Sequence, residues 1–368
     1  MTSVLSPAIR FDFSGLPSSE GGFTATSWDR VRATGVLREI FPRQFGGAGH
    51  SLSEALDAFE RLGHANPDAG LSFSAATAVA STGVPLESFG SDYLKHRYLP
   101  SVCDGSLVGA HAITEASSGS DALHMATRAV PHGEDFVIEG SKTFVTNAGI
   151  ADYYVIYART SDHPGPFGLT AFLVPADAPG LQVVRTLPTM GLRTSPVGEL
   201  RLADLRVPRD HVIGGVGRGF LVLDHVMQRE ILLSFTINVG EMARRLEESV
   251  EWVRGRTQYG APIASYQAVA RRVVDMRIAV DTSRLWLRDA ARRIDAGEDA
   301  SAQVAIAKLT ASEANLETAI SATRLFGGRG YLTEFGVEQQ LRDAAGGAIY
   351  SGTNDIQYNR LAALMGLR

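Results

Sequence analysis

Read along the chain, the apolar positions change their period twice. From Ser27 to about Ser106 they recur at helical spacing, in SWDRVRATGVLREIF, SLSEALDAFERLGHA and SDYLKHRYLPSVCDG. In the second of these, Ser51 with Glu54 three residues on predicts a capping box, and Leu56, Phe59 and Leu62 then share a face. FPRQFGGAGH, rich in Gly, reads as the loop between the first two helices. From about Leu107 to Gly217 β-rich runs take over: DFVIEGSKTFVTNAG, DYYVIYART, FGLTAFLVPADAPGLQVVRT and GELRLADLRVPRD. Their prolines sit at run ends, where a missing amide donor is tolerated. This zone predicts a small barrel or sandwich. From Arg218 the helical period returns, with long segments around 219–255, 263–296, 300–326 and 335–347. The chain thus divides into modules at 1–106, 107–217 and 218–368, an α+β multidomain order rather than alternating βαβ units.

Composition narrows the class. With 45% hydrophobic and 20% charged residues, the chain is ordinary globular protein, which excludes collagen-like and largely disordered readings. The formal net charge of −5 gives no global basic field, so neither nucleic acid nor an anionic membrane is an expected partner. A single cysteine, Cys103, forbids a disulfide framework and a Cys-rich metal site. The nine histidines show no ligand spacing, so no metal centre is expected. The N-terminus lacks a basic stretch followed by an apolar run, which argues against a secretion signal. No uncharged stretch of about 18 residues is anticipated, so no spanning helix is expected. A soluble, cytoplasmic protein is the expectation. GGVGRG at 214–219 has the look of a dinucleotide loop, but it follows a Pro-flanked loop instead of a strand. No G-x-S-x-G elbow occurs either.

One acidic residue stands out by its surroundings. On a helix, the neighbours of Glu230 are Val226, Met227, Leu233, Ser234 and Ile237, four apolar residues and one small polar one. A glutamate in such a stripe is buried or lines a cavity. Burial disfavours the ionised form and moves the carboxylate toward neutrality, as a general base requires. By pattern alone, a base and a structural Glu paired with Arg229, Arg244 or Arg245 are both open.

Four separated segments carry a family resemblance: AHAITEASSGSD (110–121), GSKTFVTNAG (140–149), RTQYGAPIASYQAV (256–269) and LFGGRGYLTEFGVEQQLRDAAGGAIYSGTNDIQ (325–357). In this order and spacing the chain resembles the flavin-dependent acyl-CoA dehydrogenases over nearly its whole length. The resemblance implies an N-terminal helical domain, a central β-domain and a C-terminal four-helix bundle. It implies FAD as cofactor, with His111, Ile113, Thr114, Gly119 and Ser120 near the flavin and Phe144 and Thr146 against the ring. Phe144 stands where the family usually has Trp. Arg256, Gln258 and Tyr259 match a segment that reaches the FAD of a neighbouring protomer. Arg324, Gly327 and Gly328 match its adenine and diphosphate side, with Arg324 in place of the usual Gln. Thr353 and Asp355 match the loop contacting the FAD. A shared site implies a homo-oligomer, tetramer or dimer.

Most of the family carries its catalytic carboxylate in a Tyr-Glu-Gly-Thr motif, which here reads Tyr350-Ser351-Gly352-Thr353. Some members, isovaleryl-CoA dehydrogenase among them, place the base on the first helix of the C-terminal domain, and that position is Glu230. The reaction implied is α-proton abstraction by Glu230 with β-hydride transfer to the flavin, yielding a 2-enoyl thioester. The thioester carbonyl would accept from the backbone N–H of Ser351, and the small side chain leaves room for a branched or cyclic acyl group. Ile231 replaces an Arg common in the family, so the carrier is CoA or a carrier protein. The electron acceptor is an electron-transfer flavoprotein or oxygen. The competing readings are a flavin monooxygenase of the same fold, such as an amine N-hydroxylase, and a catalytically silent flavoprotein subunit.

Overall fold

A computed structural model of the chain describes Phe13 and residues 21–163 and 165–367. The N-terminal stretch read for a secretion signal lies mostly outside the described residues. The first helices of the described residues are α1 (Ala25–Thr34), α2 (Leu52–Ala65), α3 (Ala69–Ala76), α4 (Val84–Phe89) and α5 (Asp92–Cys103). The capping box at α2 is formed: the Ser51 hydroxyl accepts from the Glu54 N–H and the Glu54 carboxylate from the Ser51 N–H.

α3 runs into α4 through a π-helical stretch, Thr77–Gly83, so residues 69–89 form one continuous helix of 21 residues. Its first 18 residues carry no charge, which corrects the expectation that no such run exists. The mean hydropathy of 1.2 passes for a membrane span by composition, but 94% of that window is buried inside the protein. It is the central helix of the N-terminal layer, with Leu71, Ala75, Val79 and Leu86 in the main core.

The middle of the chain forms strands β1 (Gly109–Ala112), β2 (Arg128–His132), β3 (Asp135–Thr146), β4 (Tyr153–Arg159), β5 (Leu169–Pro175), β6 (Leu181–Leu187), β7 (Val197–Pro208) and β8 (Val212–Ile213). They pair in the order β6-β7-β3-β2-β4-β5-β8, with β1 parallel to β4. The expected central β-domain is formed, as one eight-stranded sheet among the described residues, with Phe136, Ile138, Phe172, Val174, Leu181 and Leu200 packed together in its interior. The run YYVIYA in β4 shows why no alternation was visible in the sequence. Tyr154, Ile156 and Ala158 face that interior, while Tyr153, Val155 and Tyr157 face the helices, so both faces are dry.

The C-terminal part is helical: α6 (Gly219–Gly255), a ribbon of β9 (Thr257–Gln258) and β10 (Ala261–Pro262), then α7 (Gln267–Asp295), α8 (Ser301–Phe326), α9 (Val337–Ala345) and α10 (Asn354–Leu364). α6 has 37 residues, a rod of about 55 Å. It packs on α2 through two glycines. A Cβ on Gly63 would stand 2.1 Å from the Ile237 carbonyl oxygen, and one on Gly240 would stand 2.1 Å from that of Glu60. This close crossing fixes α6 against the N-terminal layer, and with it the residues one turn or two earlier that face the sheet.

Candidate active site

Where the N-terminal layer, the sheet and α6 meet, the chain leaves a cleft of about 1020 Å³. Glu230 lines it from α6, Ser81 and Thr77 from the π-helical stretch, His111 from β1 and Ser351 from the loop before α10. The Glu230 side chain is only 13% exposed. One carboxylate oxygen accepts from Ser81 Oγ and the other from Ser351 Oγ, each at 2.6 Å. Burial pushes the Glu230 carboxyl above its ordinary range, and the two hydroxyls pull against that shift. The arginines that might have paired with it are engaged elsewhere. Arg229 donates to the His225 carbonyl, Arg244 pairs with Glu248, and Arg245 donates to Asn315, Thr318 and Gln340 inside the bundle. Glu230 is therefore a buried carboxylate held by hydroxyls with no cation on it, facing a cleft.

His111 adds a second buried group. Its Nδ1 lies 3.8 Å from Glu230, and its Nε2 meets the Tyr157 hydroxyl at 3.1 Å. Burial drops the His111 pKa to about 3, so the ring is neutral at working pH and makes no ion pair with the carboxylate. Neither Ser81 nor the approach of His111 to Glu230 was found from sequence. They sit 149 and 119 residues from Glu230 and carry no local pattern that singles them out.

The loop bearing Ser351 is built from below. Tyr350 donates through its hydroxyl to Asn238 on α6, and its ring meets Phe73 and Phe235 at 4.5 and 5.2 Å between centroids. Just beyond, the buried Asn354 accepts from Lys308 and Ser312 on α8. Between these anchors Ser351 is held at φ 55°, a left-handed conformation unusual for a non-glycine residue. Its backbone N–H finds no acceptor among the described residues. Ser351 was expected to act through that N–H alone, and its hydroxyl also binds Glu230.

On the sheet side, the segment ITEASSGSD is fixed by a buried ion pair. Lys142 donates to Glu115 at 2.8 Å and to the Ile113 carbonyl at 2.9 Å, and the other Glu115 oxygen accepts from the Ala126 N–H. This sets the course of the chain through Ile113, Thr114, Gly119 and Ser120, all of which line the cleft. Across from them β3 and β7 lose register between Lys142 and Val145, and Phe144 sits there at φ 54°. The bulge turns the ring out so that it is 67% exposed on the cleft wall beside Thr146. An exposed aromatic ring, neighbouring hydroxyls of Thr114, Thr146 and Ser120, and a run of small residues form a donor set that fits a planar flavin.

Other expected residues lie elsewhere. Thr353 lines the cleft, whereas Asp355 is exposed on the first turn of α10 and does not. Arg256, Gln258, Tyr259, Arg324, Gly327 and Gly328 stand at the far end of the bundle, exposed and outside their own chain's cleft. They share that end because Trp252 stacks on Phe326 and donates to the Leu325 carbonyl. The guanidinium groups of Arg256 and Arg324 have no partner among the described residues.

Helical, sheet and bundle parts around one cleft whose lining fits a planar cofactor set the class to look for, and comparison with known proteins identifies it. Residues 17–106, 110–205 and 217–366 match the N-terminal, middle and C-terminal domains of acyl-CoA dehydrogenase. The chain belongs to the acyl-CoA dehydrogenase family, and its cofactor is FAD. It is 36% identical over 341 residues to an L-prolyl-[peptidyl-carrier protein] dehydrogenase of Pseudomonas fluorescens, covering 92% of this chain and 90% of the relative. It is also 36% identical over 330 residues to a cyclohex-1-ene-1-carbonyl-CoA dehydrogenase of Geobacter metallireducens, covering 89% and 86%. The solved structure of PigA with FAD and proline matches with a TM-score of 0.93 at 34% identity, covering 95% of this chain and 91% of that one. The chain is an oxidoreductase acting on CH–CH bonds, and its chemistry is acyl thioester dehydrogenation.

Proposed function

We propose that this enzyme dehydrogenates a short cyclic or branched acyl group held as a thioester, with Glu230 as the base. The observation that carries the proposal is the Glu230 carboxylate itself. It is buried on the cleft wall, raised in pKa, held by two hydroxyls and free of any cation. When bound, FAD accepts the β-hydrogen as hydride. Glu230 takes the α-proton, and Ser81 and Ser351 keep its two oxygens aimed while it does so. The free Ser351 N–H is placed to donate to the thioester oxygen as negative charge builds there. The neutral His111 leaves the carboxylate basic, where an imidazolium would quench it. Thr114, Ser120, Phe144 and Thr146 hold the flavin end of the cofactor, and Arg256, Arg324 and the Gly327–Gly328 turn of a second copy hold its diphosphate. Exposed apolar residues on α7, namely Val274, Ile278 and Leu285, give that second copy a surface to cover. The functional unit is thus a homo-oligomer.

The carrier we favour is a carrier protein, which the name of the Pseudomonas relative supports; CoA is the other outcome of the test. The acceptor is an electron-transfer flavoprotein or oxygen, and the compartment is the cytoplasm. Anaerobic mixing of the FAD enzyme with thioesters of graded size and branching, on both carriers, tests this directly. We expect bleaching of the flavin by a short cyclic or branched substrate. Glu230→Gln is expected to slow it by a factor on the order of 10³ or more while FAD stays bound. Reduction only by NAD(P)H with a reductase would instead favour a monooxygenase, and no reduction at all a silent subunit.

A further inference from the structure

The acyl end of the cleft holds a group that this mechanism does not use. Phe73, Thr77 and Ser81 follow one another at four-residue spacing and all line the cleft. Ser81 is committed to Glu230, and Phe73 closes the row against the ring of Tyr350. Thr77 lies between them, about one turn or 6 Å from Ser81. It is 5% exposed, yet its hydroxyl has no hydrogen-bond partner among the described residues, neither protein backbone nor side chain. A helical threonine commonly turns its hydroxyl back onto the carbonyl one turn before it. Thr82, five residues on, does so with Ala78, but Thr77 does not. Helical π-turns of this kind recur at functional sites.

Thr77 stands one turn from the Ser81 that binds Glu230 and lines the same cleft, within reach of an acyl group whose α-carbon meets that carboxylate. An alkyl group there would shut the hydroxyl away from water with nothing to bond. We infer that the acyl group carries a hydrogen-bonding heteroatom within two bonds of its α-carbon, an amino- or hydroxyacyl thioester, and that Thr77 selects for it. The inference rests on the reading of Glu230 as base. The row ends at Phe73, two turns or about 12 Å from Ser81, so the acyl group is short. Electrons balance as for an alkyl substrate. The α-proton goes to Glu230 and the β-hydrogen leaves as hydride to FAD. From a 3-hydroxyacyl thioester the resulting enol moves one proton from oxygen to the α-carbon and becomes the 3-oxo thioester.

Isosteric pairs on one carrier test this: isovaleryl against 3-hydroxybutyryl, and cyclopentanecarbonyl against prolyl. Dissociation constants are measured on the FAD-loaded Glu230→Gln enzyme, which does not turn over, and kcat/KM for flavin bleaching on the wild type. One polar member is expected to beat its isostere by roughly ten- to hundredfold in both measures, the scale of leaving one buried hydroxyl without a partner. Which pair responds tells amine from hydroxyl. Thr77→Val is expected to collapse the ratio and Thr77→Ser to keep it. Equal or better binding of the apolar member in both pairs, or a ratio that survives Thr77→Val, overturns the inference. If no thioester bleaches the wild type, the dehydrogenase reading fails, and the binding ratios still decide the role of Thr77.

Discussion

A carboxylate held by two hydroxyls behaves differently from one held by a cation. A neighbouring arginine would drive the Glu230 pKa down and leave it a weak base; burial drives it up, and Ser81 and Ser351 only moderate the rise. If Glu230 is the base, as proposed, it acts when ionised, and flavin bleaching is expected to increase as pH climbs through a limb above the usual carboxylate range near 4.3. Removing one hydroxyl removes a stabiliser of the anion and moves that limb further up. A lost hydrogen bond to a charged group costs about 1.5–3 kcal/mol, or about one to two pH units. Ser351→Ala and Ser81→Ala are each expected to shift the limb in this direction, read from bleaching rates across pH, with the alkaline plateau much less affected. A limb that stays put would separate the hydroxyls from the base. With its pKa near 3, His111 adds no second limb in the working range. At this scale the sequence was informative where a pattern was local. The apolar neighbours of Glu230 are read straight off one helix, whereas its hydroxyl and imidazole partners come from the π-helical stretch, from β1 and from the loop before α10.

The element that aims Glu230 is α6, and what fixes α6 is a contact without side chains. Gly63 and Gly240 let the backbones of α2 and α6 come so close that any Cβ would overlap a carbonyl oxygen of the facing helix. Gly240→Ala is expected to force the helices apart at a cost of about 1–3 kcal/mol or more, as overpacking a tight core does. Chemical denaturation measures it. Because Glu230 lies less than three turns up the same helix, flavin bleaching should fall in the folded variant too. An unchanged midpoint would mean that the crossing is loose in solution. A helix such as α7 was legible in the sequence because it has one side turned to water and Met276, Val280, Leu287 and Ala290 on the other, which leaves a period to read. The stretch 69–89 and strand β4 were not, since elements buried on all sides show a continuous apolar run instead.

At the scale of the whole molecule, one end of the bundle gathers exposed cationic and glycine residues away from the cleft. Arg256 and Arg324 stand exposed and without partners among the described residues, at the same end as the Gly327–Gly328 turn, while the cleft lies elsewhere in the same chain. Unpartnered arginines next to glycine backbone suit a diphosphate, which offers oxygens for two parallel donors and lets the main chain come close. Tyr259, 97% exposed at φ 52° in the β9–β10 ribbon, extends from the same end. If a second copy supplies this end to the FAD, cofactor binding and assembly are linked, and each stabilises the other by mass action. Arg256→Ala and Arg324→Ala are then each expected to weaken FAD by roughly ten- to hundredfold, the scale of one charge-assisted contact. Titration of the apoenzyme with FAD, followed by flavin fluorescence, reads that change. Light scattering at limiting FAD should show the assembly loosening in parallel, while the pH limb of the FAD-saturated variants stays where Glu230 sets it. FAD affinity that is indifferent to both arginines would confine the cofactor to a single chain.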